Sequence, residues 1–483
     1  VLKIELNPAT HTFILSNCIL NLLLTTYKGV LVTTLSFILL ISIPKVEDCF
    51  AQQSQSAKQV SKKQKSTKSP SKAKTTKTST KTPTKKKSSY SKSKSIKKPV
   101  SRSKTKYIQA PEPTAVPRIR SVETISTSSS ANGDLFLSKT PSLGASYLER
   151  RYARNQNGDF VFFNVEPKLQ DLAEQLVDNN SAPHVALVAI EPATGKILAL
   201  AEKSNSISDL SIHSGFPAAS LFKVVTAAAA VDSGRLAPDV NIRFRGGTYE
   251  LSQWNYSPSI KGDKREMSLG EALGKSCNPV FARVALNNLD EKLLKTYGLR
   301  FGFGMKLPYD VSLPISKISI PSGSYEFSRT AAGFGEVTIS PVHAAVIMAG
   351  LANKGVAFRP TLVDRIISQE GDLRYASKNE PWQRILPPSS AATIMDLMVN
   401  STTVGTSRKE FALNSKTQLH NIAVAGKTGT LRGKDPVGLN NWFIGAPVNN
   451  PKIAVAAIVV DPSSISTKAS RMGRMMIEAS LKK

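Results

Sequence analysis

The sequence predicts a mixed α/β fold of the α+β kind: an antiparallel sheet flanked by helices, with a helical subdomain inserted between its strands. Three observations predict it. Apolar stretches with strand character stand at both ends of the body, His184–Ile190 and Lys196–Ala201 early, then Asn421–Ala425, Asn441–Val448 and Ile453–Val460 late. The long stretch between them carries helix start and stop signals instead. Hydrophobic residues make up 41% of the 483, enough for a sizeable core.

Residues 1–51 read as a signal peptide or membrane anchor. Phe13–Leu24 is apolar but interrupted by Asn17 and Asn21, and Gly29–Ile43 is a cleaner run. Its length suits a signal-peptide core and falls short of the ~20 residues of a membrane span. Small residues at Cys49 and Ala51 fit cleavage after Ala51, and a retained anchor is the competing reading. The first residue is Val, which is also compatible with a start placed too far upstream. Either way the chain is expected to be exported, to the periplasm or the outer face of the cytoplasmic membrane.

Residues 52–140 read as a disordered linker of Ser, Thr, Lys and Pro. Nineteen Lys and Arg and no Asp or Glu fall between Gln52 and Lys106, so most of the net charge of +29 belongs to this tract. Such a tract suits a solvated spacer, or contact with a membrane surface or an anionic wall polymer. Nucleic acid is not expected, because an exported tail rarely meets any.

Residues 141–160 form a lead-in, and 161–483 the globular body. The turn EPATG joins the first two strands, which alternate like a hairpin packed on one face. Ala218 to Ser233 is helical, with Gly234 just past its end. SLGE, Ser268–Glu271, has the spacing of a capping box. Ser340 and Pro341 start another helix running to Lys354, and Ile465 to Leu481 closes the chain.

Three cysteines (Cys18, Cys49, Cys277) are too few and too scattered for a disulfide framework or a thiolate zinc site. His184, His213, His343 and His420 stand singly, without metal-ligand spacing. No metal and no cofactor are expected.

Three short motifs carry chemistry. In PAASLFK, Ser220 and Lys223 share one helix face. A lysine stripped of water loses proton affinity and can serve as the base that a serine nucleophile needs. Ser220 also falls in the first turn, where backbone N–H groups favour an oxyanion. The spacing alone is common: Ser69–Lys72, Ser71–Lys74, Ser89–Lys92 and Ser91–Lys94 repeat it in the linker. The apolar helical setting separates Ser220 from these. GKSCNPVF supplies Ser276, which could relay a proton, and Asn278, which could hold a substrate amide; a plain helix-joining turn is the alternative. AVAGKTGTLRG closes an apolar strand with Lys427, Thr428, Gly429 and Thr430. Gly429 would let another backbone approach the strand edge, so that a substrate peptide adds as a strand. The lysine and hydroxyls favour a carboxylate.

Taken in order, Ser220-Leu-Phe-Lys223, Ser276-Cys-Asn278 and Lys427-Thr-Gly-Thr430 resemble the three motifs of penicillin-binding proteins and serine β-lactamases. VALVAIEPATGKILALAEK resembles the opening hairpin of the transpeptidase branch. GFGEVTISPVHAAVIMAGLANKG resembles its helical segment before the third motif, and NNWFIGAPVNNPKIAVAAIVVDP its closing strands. The resemblance covers about Val161 to Lys483 and implies a β-lactamase/transpeptidase-like fold.

It further implies Ser220 as acylated nucleophile, Lys223 as its base and Ser276 as proton relay. Asn278 would orient the peptide, Lys427 would hold Ser276 and the substrate carboxylate, and Thr428 and Thr430 would bind that carboxylate. The N–H groups of Ser220 and Thr430 would form the oxyanion hole. Implied partners are peptidoglycan stem peptides and β-lactams, with a glycosyltransferase or division complex as further candidates. The implied activity is serine D,D-transpeptidation. A D,D-carboxypeptidase, a serine β-lactamase and a non-catalytic β-lactam-binding sensor or scaffold are the alternatives. EFALN, Glu410–Asn414, imitates a class A lactamase loop but stands too close to Lys427 to serve as one. Cys277 reads as a buried structural thiol.

Overall fold

The computed structural model describes residues 122–131, 133–147, 150–412 and 418–482. The expected signal or anchor, most of the basic linker, and Cys18 and Cys49 lie outside them. No helix among the described residues is long and apolar enough to cross a membrane.

Five strands make the central sheet: β1 (His184–Ile190), β2 (Ile197–Ser204), β3 (Val424–Lys434), β4 (Val437–Pro447) and β5 (Ala454–Asp461), ordered β3-β4-β5-β1-β2. Every pairing is antiparallel. All helices of the middle of the chain enter between β2 and β3, as the sequence predicts for an inserted subdomain.

The β1 hairpin differs from the expectation of one packed face, because β1 is buried along its whole length. Side chains alternate between two cores. Val185, Leu187 and Ala189 join Phe443 and Val455 against two outer helices, α1 (Pro167–Asp178) and the closing helix Ala469–Ser480. Ala186, Val188, Trp442 and Ile444 face the inserted helices. Among these are α2 (Phe222–Asp232), α3 (Leu269–Lys275), α4 (Asn278–Asn288) and α5 (Pro341–Ala352). α2 is nearly all Ala, Val and Phe because it is buried on every side but its C-terminal end. Ser268 caps α3, its Oγ accepting the Glu271 N–H, and Ser340 caps α5 in the same way.

The expected linker boundary at residue 140 is corrected. Thr124–Ile125, Thr127–Ser129 and Leu135–Leu137 are strands, and Ile125, Leu135 and Leu137 are buried in the core that contains Ala218. Thr124–Ile125, Arg150–Asn155 and Phe160–Phe163 make a second sheet with Val363–Ile367 and Leu373–Ala376. The reason is apolar spacing: Ile125, Leu135 and Leu137 are too few to register against a Ser-rich background, yet each finds a buried place. The lead-in is therefore part of the body. The third-motif strand is also longer than expected, running through the motif to Lys434. Gly426, Lys427, Gly429 and Gly433 interrupt its apolar pattern without ending its pairing with β4. The closing helix starts at Ala469, four residues later than its sequence signal.

Candidate active site

The chain enters α2 through a 3-10 turn, Ala219–Leu221, whose first residue takes a left-handed φ of 50°. That turn leaves the Ser220 side chain half-buried, while Lys223 is fully buried. Lys223 Nζ donates to Ser220 Oγ at 2.8 Å, to Asn278 Oδ1 at 2.7 Å and to the Ala332 carbonyl. Asn278 Nδ2 in turn donates to the Tyr249 carbonyl, which fixes the amide with its oxygen toward the lysine.

Counting protons decides what this arrangement can do. Asn278 Oδ1 and the Ala332 carbonyl can only accept, so they use the two N–H bonds of a neutral amine. The lone pair then faces the one partner able to donate, the Ser220 hydroxyl. Burial lowers the Lys223 pKa to about 7, against a smaller upward effect of Cys277. Near neutral pH a large share of the protein therefore holds an unprotonated amine on a serine hydroxyl.

Ser276 closes α3 in the left-handed region, φ 58° and ψ 41°, an unusual place for a residue with a side chain. Its Oγ accepts from Lys427 Nζ at 3.0 Å, and Lys427 also donates to the Thr428 carbonyl at 2.6 Å. Lys427 is fully buried, and burial together with the Lys223 charge holds it well below the usual lysine range. One tight turn, Ser276-Cys277-Asn278, thus meets a buried lysine at each end. Cys277 at its centre is fully buried, and burial raises its thiol pKa, as expected of a structural thiol.

β3 is an edge strand, paired on one side only among the described strands. The Val448 N–H to the Ala423 carbonyl sets the alternation, so odd-numbered residues of β3 bond to β4 and even-numbered ones point outward. The outward carbonyls of Val424 and Thr428 agree with this phase, since each accepts a side-chain bond instead of a strand one, from Thr402 and from the neighbouring Lys427. The N–H and C=O groups of Thr428 and Thr430 accordingly face the open edge. Thr428 Oγ1 lies 2.6 Å from Thr406 Oγ1, and the exposed Thr430 Oγ1 accepts from Asn441 at 3.3 Å.

Gly429 lies against the turn that carries Ser220. A Cβ there would stand 3.3 Å from Ala219 Cβ and 3.5 Å from the Ala218 carbonyl, so this face of the strand packs directly on the Ser220 turn. Trp442 Nε1 donates to the Pro217 carbonyl and helps seat the same turn. Glu410 sits on a four-residue helix, Arg408–Phe411, whose Phe411 packs on Phe443 in the outer core, on the sheet face away from Ser220. Among the described residues no group of three His, Cys, Asp or Glu could hold a metal ion.

The structure therefore brings Ser220, Lys223 and Asn278 into one bonded group and Ser276 with Lys427 into another, with Thr428, Gly429 and Thr430 alongside on β3. Sequence reasoning missed the wall behind them. Gly333, at φ +92°, lies so close that a Cβ would stand 2.3 Å from the Ala219 carbonyl oxygen and 2.9 Å from Ser220 N. The segment continues with Val337 accepting the Ala218 N–H. The GFG of that segment was the available signal.

It also missed how Asn278 is held. Thr248 accepts the Asn278 N–H, and the loop that carries Thr248 and Tyr249 is clamped by Asp263. Asp263 Oδ1 lies 3.1 Å from Arg283 of α4 and 3.0 Å from Arg245 of the loop, and all three are largely buried. Burial pushes the Asp263 pKa up, but bonds from Arg283, the Ser259 N–H and Arg245 outweigh it and hold the carboxyl below its usual range. Asp263→Ala strands the buried Arg283 and is expected to cost about 3 kcal/mol of stability. Acylation should slow about tenfold as the loop releases Asn278. Thermal melts and acylation rates check this; a lowered Tm with an unchanged rate confines Asp263 to folding.

A serine hydroxyl set on a desolvated amine, beside an open sheet edge, is the equipment of a serine acyltransferase that works on extended peptides. The chain belongs to the penicillin-binding protein transpeptidase family, whose domain model matches residues 185–476. Among curated proteins it is similar to the peptidoglycan D,D-transpeptidase PbpA of Mycolicibacterium smegmatis, 28% identical over 378 residues, or 68% of this chain and 74% of that protein. The PbpA of Mycobacterium tuberculosis is 29% identical over 340 residues, 61% of this chain and 67% of that protein. Among solved structures, penicillin-binding protein A from M. tuberculosis as a ceftriaxone acyl-enzyme superposes with a TM-score of 0.56 at 25% identity. That match covers 69% of this chain and 80% of that one.

Proposed function

We propose that the protein is a serine D,D-transpeptidase that cross-links peptidoglycan stem peptides and is acylated by β-lactams. The observation that carries this is the Lys223 amine, with both its N–H bonds engaged and Ser220 Oγ at 2.8 Å. In the reaction, Ser220 Oγ attacks the carbonyl carbon of a D-Ala-D-Ala peptide bond and its proton passes to Lys223 Nζ. The oxyanion is taken by the N–H groups of Ser220 and Thr430. Ser276, oriented by Lys427, relays that proton from Lys223 to the departing D-Ala nitrogen as the C–N bond breaks, taking one proton as it gives one. A neighbouring strand's amine then attacks the acyl-enzyme; as the C–O bond to Ser220 breaks, Lys223 Nζ takes the amine's proton and returns it to Ser220 Oγ. The donor peptide lies along β3 as an added strand, its carboxylate toward Thr428, Thr430 and Lys427.

Asn278 is assigned a part different from direct substrate contact alone, since its amide already bridges Lys223 and the Tyr249 carbonyl. Peptidoglycan places the reaction outside the cytoplasm. The basic tract before the body is read as a spacer that meets anionic wall polymer or lipid headgroups. The test is labelling with a fluorescent penicillin. Wild type should form a stable adduct and Ser220→Ala none. Label retained in Ser220→Ala refutes the nucleophile, and an adduct lost within seconds points to a β-lactamase.

A further inference from the structure

The segment between the helix Pro388–Thr403 and β3 is laced to the outward side of β3 at two points. Thr402 Oγ1 donates to the Val424 carbonyl at 2.8 Å, and Thr406 Oγ1 lies 2.6 Å from Thr428 Oγ1. Thr406 is also fixed to the end of α3 that leads into Ser276. Its N–H donates to the Gly274 carbonyl at 3.0 Å, and its hydroxyl lies 3.3 Å from the same oxygen. Bare backbone permits this approach. A Cβ on Gly405 would collide with the Gly274 carbonyl oxygen, and one on Gly274 would collide with the Asn400 backbone. Thr406 is thereby held half-buried between α3 and β3, with its hydroxyl on that of Thr428.

Two hydroxyl oxygens 2.6 Å apart share one hydrogen, which leaves two ways to place the protons. In one, Thr428 donates to Thr406, whose own hydrogen goes to the Gly274 carbonyl. In the other, Thr406 donates to Thr428, and the Thr428 hydrogen is left for a ligand. An anion beside β3 favours the second, because a hydroxyl bonds a carboxylate more strongly than a neutral oxygen. The change strands no acceptor, since the Gly274 carbonyl keeps the Thr406 N–H in both. Donation from Thr406 also polarises the Thr428 hydroxyl and strengthens the bond it gives. Thr430 is prepared in a parallel way: its Oγ1 accepts from Asn441 Nδ2, and Asn441 Oδ1 is fixed by the Ala469 N–H at 3.0 Å.

We propose that Thr406 is a positioning residue for substrate recognition. Its hydroxyl makes Thr428 a hydrogen donor toward the terminal carboxylate of the donor peptide, or toward the carboxylate of a penicillin. The proposal rests on the transpeptidase reading of the site, in which that carboxylate lies at Thr428 and Thr430.

The experiment measures acylation of the full chain by benzylpenicillin and by its neutral methyl ester, in wild type, Thr406→Val and Thr406→Ser. Valine keeps the shape of the side chain and removes the hydroxyl, and serine keeps the hydroxyl. Wild type should react faster with the acid than with the ester. In Thr406→Val the acid-to-ester rate ratio should fall about tenfold, through a higher half-saturating concentration of the acid and not a lower maximal rate. Thr406→Ser should recover the ratio, and that pattern supports the proposal. Equal slowing of acid and ester in Thr406→Val makes the residue a support of the fold alone and overturns it. So does an unchanged ratio. A wild type without preference for the acid removes the carboxylate from Thr428 and overturns it too. If wild type reacts with neither compound, the transpeptidase reading itself fails and the proposal with it, a result distinct from any change of ratio.

Discussion

Lys223→Arg is expected to slow acylation of the protein by penicillin about 10³-fold, close to 4 kcal/mol in barrier height. A guanidinium keeps the charge and the donors but cannot give up its proton, so Ser220 loses its base while the surrounding acceptors keep partners. The wild-type rate should rise with pH and level off above about 7, where burial leaves the amine unprotonated. The arginine variant should show no such rise. The sign also reaches stability. A lysine whose pKa is lowered by folding binds a proton in the unfolded chain that the native chain releases, so its burial opposes folding increasingly from about pH 10 down to 7 and by a constant amount below. Stopped-flow acylation across pH 5 to 9, with melts of both proteins, checks both statements. An arginine variant that acylates at more than a tenth of the wild-type rate removes Lys223 from the role of base.

Gly333→Ala should be nearly as damaging, although glycine has no side chain to take part in the chemistry. Its φ of +92° is strained for any residue with a side chain, and the added methyl would collide with the Ala219 carbonyl oxygen 2.3 Å away. Neither backbone can yield without cost. Ala332 just before it takes a bond from Lys223, and Ala331 takes one from Thr226 Oγ1 on α2. The collision therefore shifts the turn that aims Ser220. A displacement of about 1 Å costs roughly 10²-fold in rate, and the strain about 3 kcal/mol in stability. Acylation rates at a temperature where the variant is folded separate the two effects. A variant with a wild-type rate there refutes the close packing.

How much of this was legible beforehand depended on whether a residue's purpose was local. Ser268 and Ser340 declared their helices because a cap bonds three residues along its own chain. The sheet was legible from continuous apolar runs such as Ile453–Val460, but the two-faced burial of His184–Ile190 was not, because it depends on helices far along the sequence. Ile125, Leu135 and Leu137 were lost in a Ser-rich background, since isolated apolar residues signal nothing until a partner surface exists. The side chains proposed as catalytic were readable as three motifs in order. Their supports were not. Ala332 and Tyr249 act through backbone carbonyls, which every residue possesses, and Gly429 faces the Ser220 turn for reasons set by packing between distant elements. Asp263 was invisible because its two arginine partners come from separate segments.

The open edge of the Lys427 strand carries a hazard that belongs to its use. Outside the Val424 and Thr428 carbonyls, which take bonds from Thr402 and Lys427, the outer side of this eleven-residue strand has no strand partner among the described residues, and such an edge is a template for any extended chain, a second copy of the protein included. Most proteins cover such an edge with a loop or helix. Here, on the proposed function, a cover would also shut out the donor peptide. The exposed Arg432 and Lys434 at its far end can repel another copy of the same strand by like charge while leaving the central stretch around Thr430 clear. Charge reversal at Arg432 and Lys434 should therefore increase self-association at the edge where, on the proposed function, a substrate peptide would add.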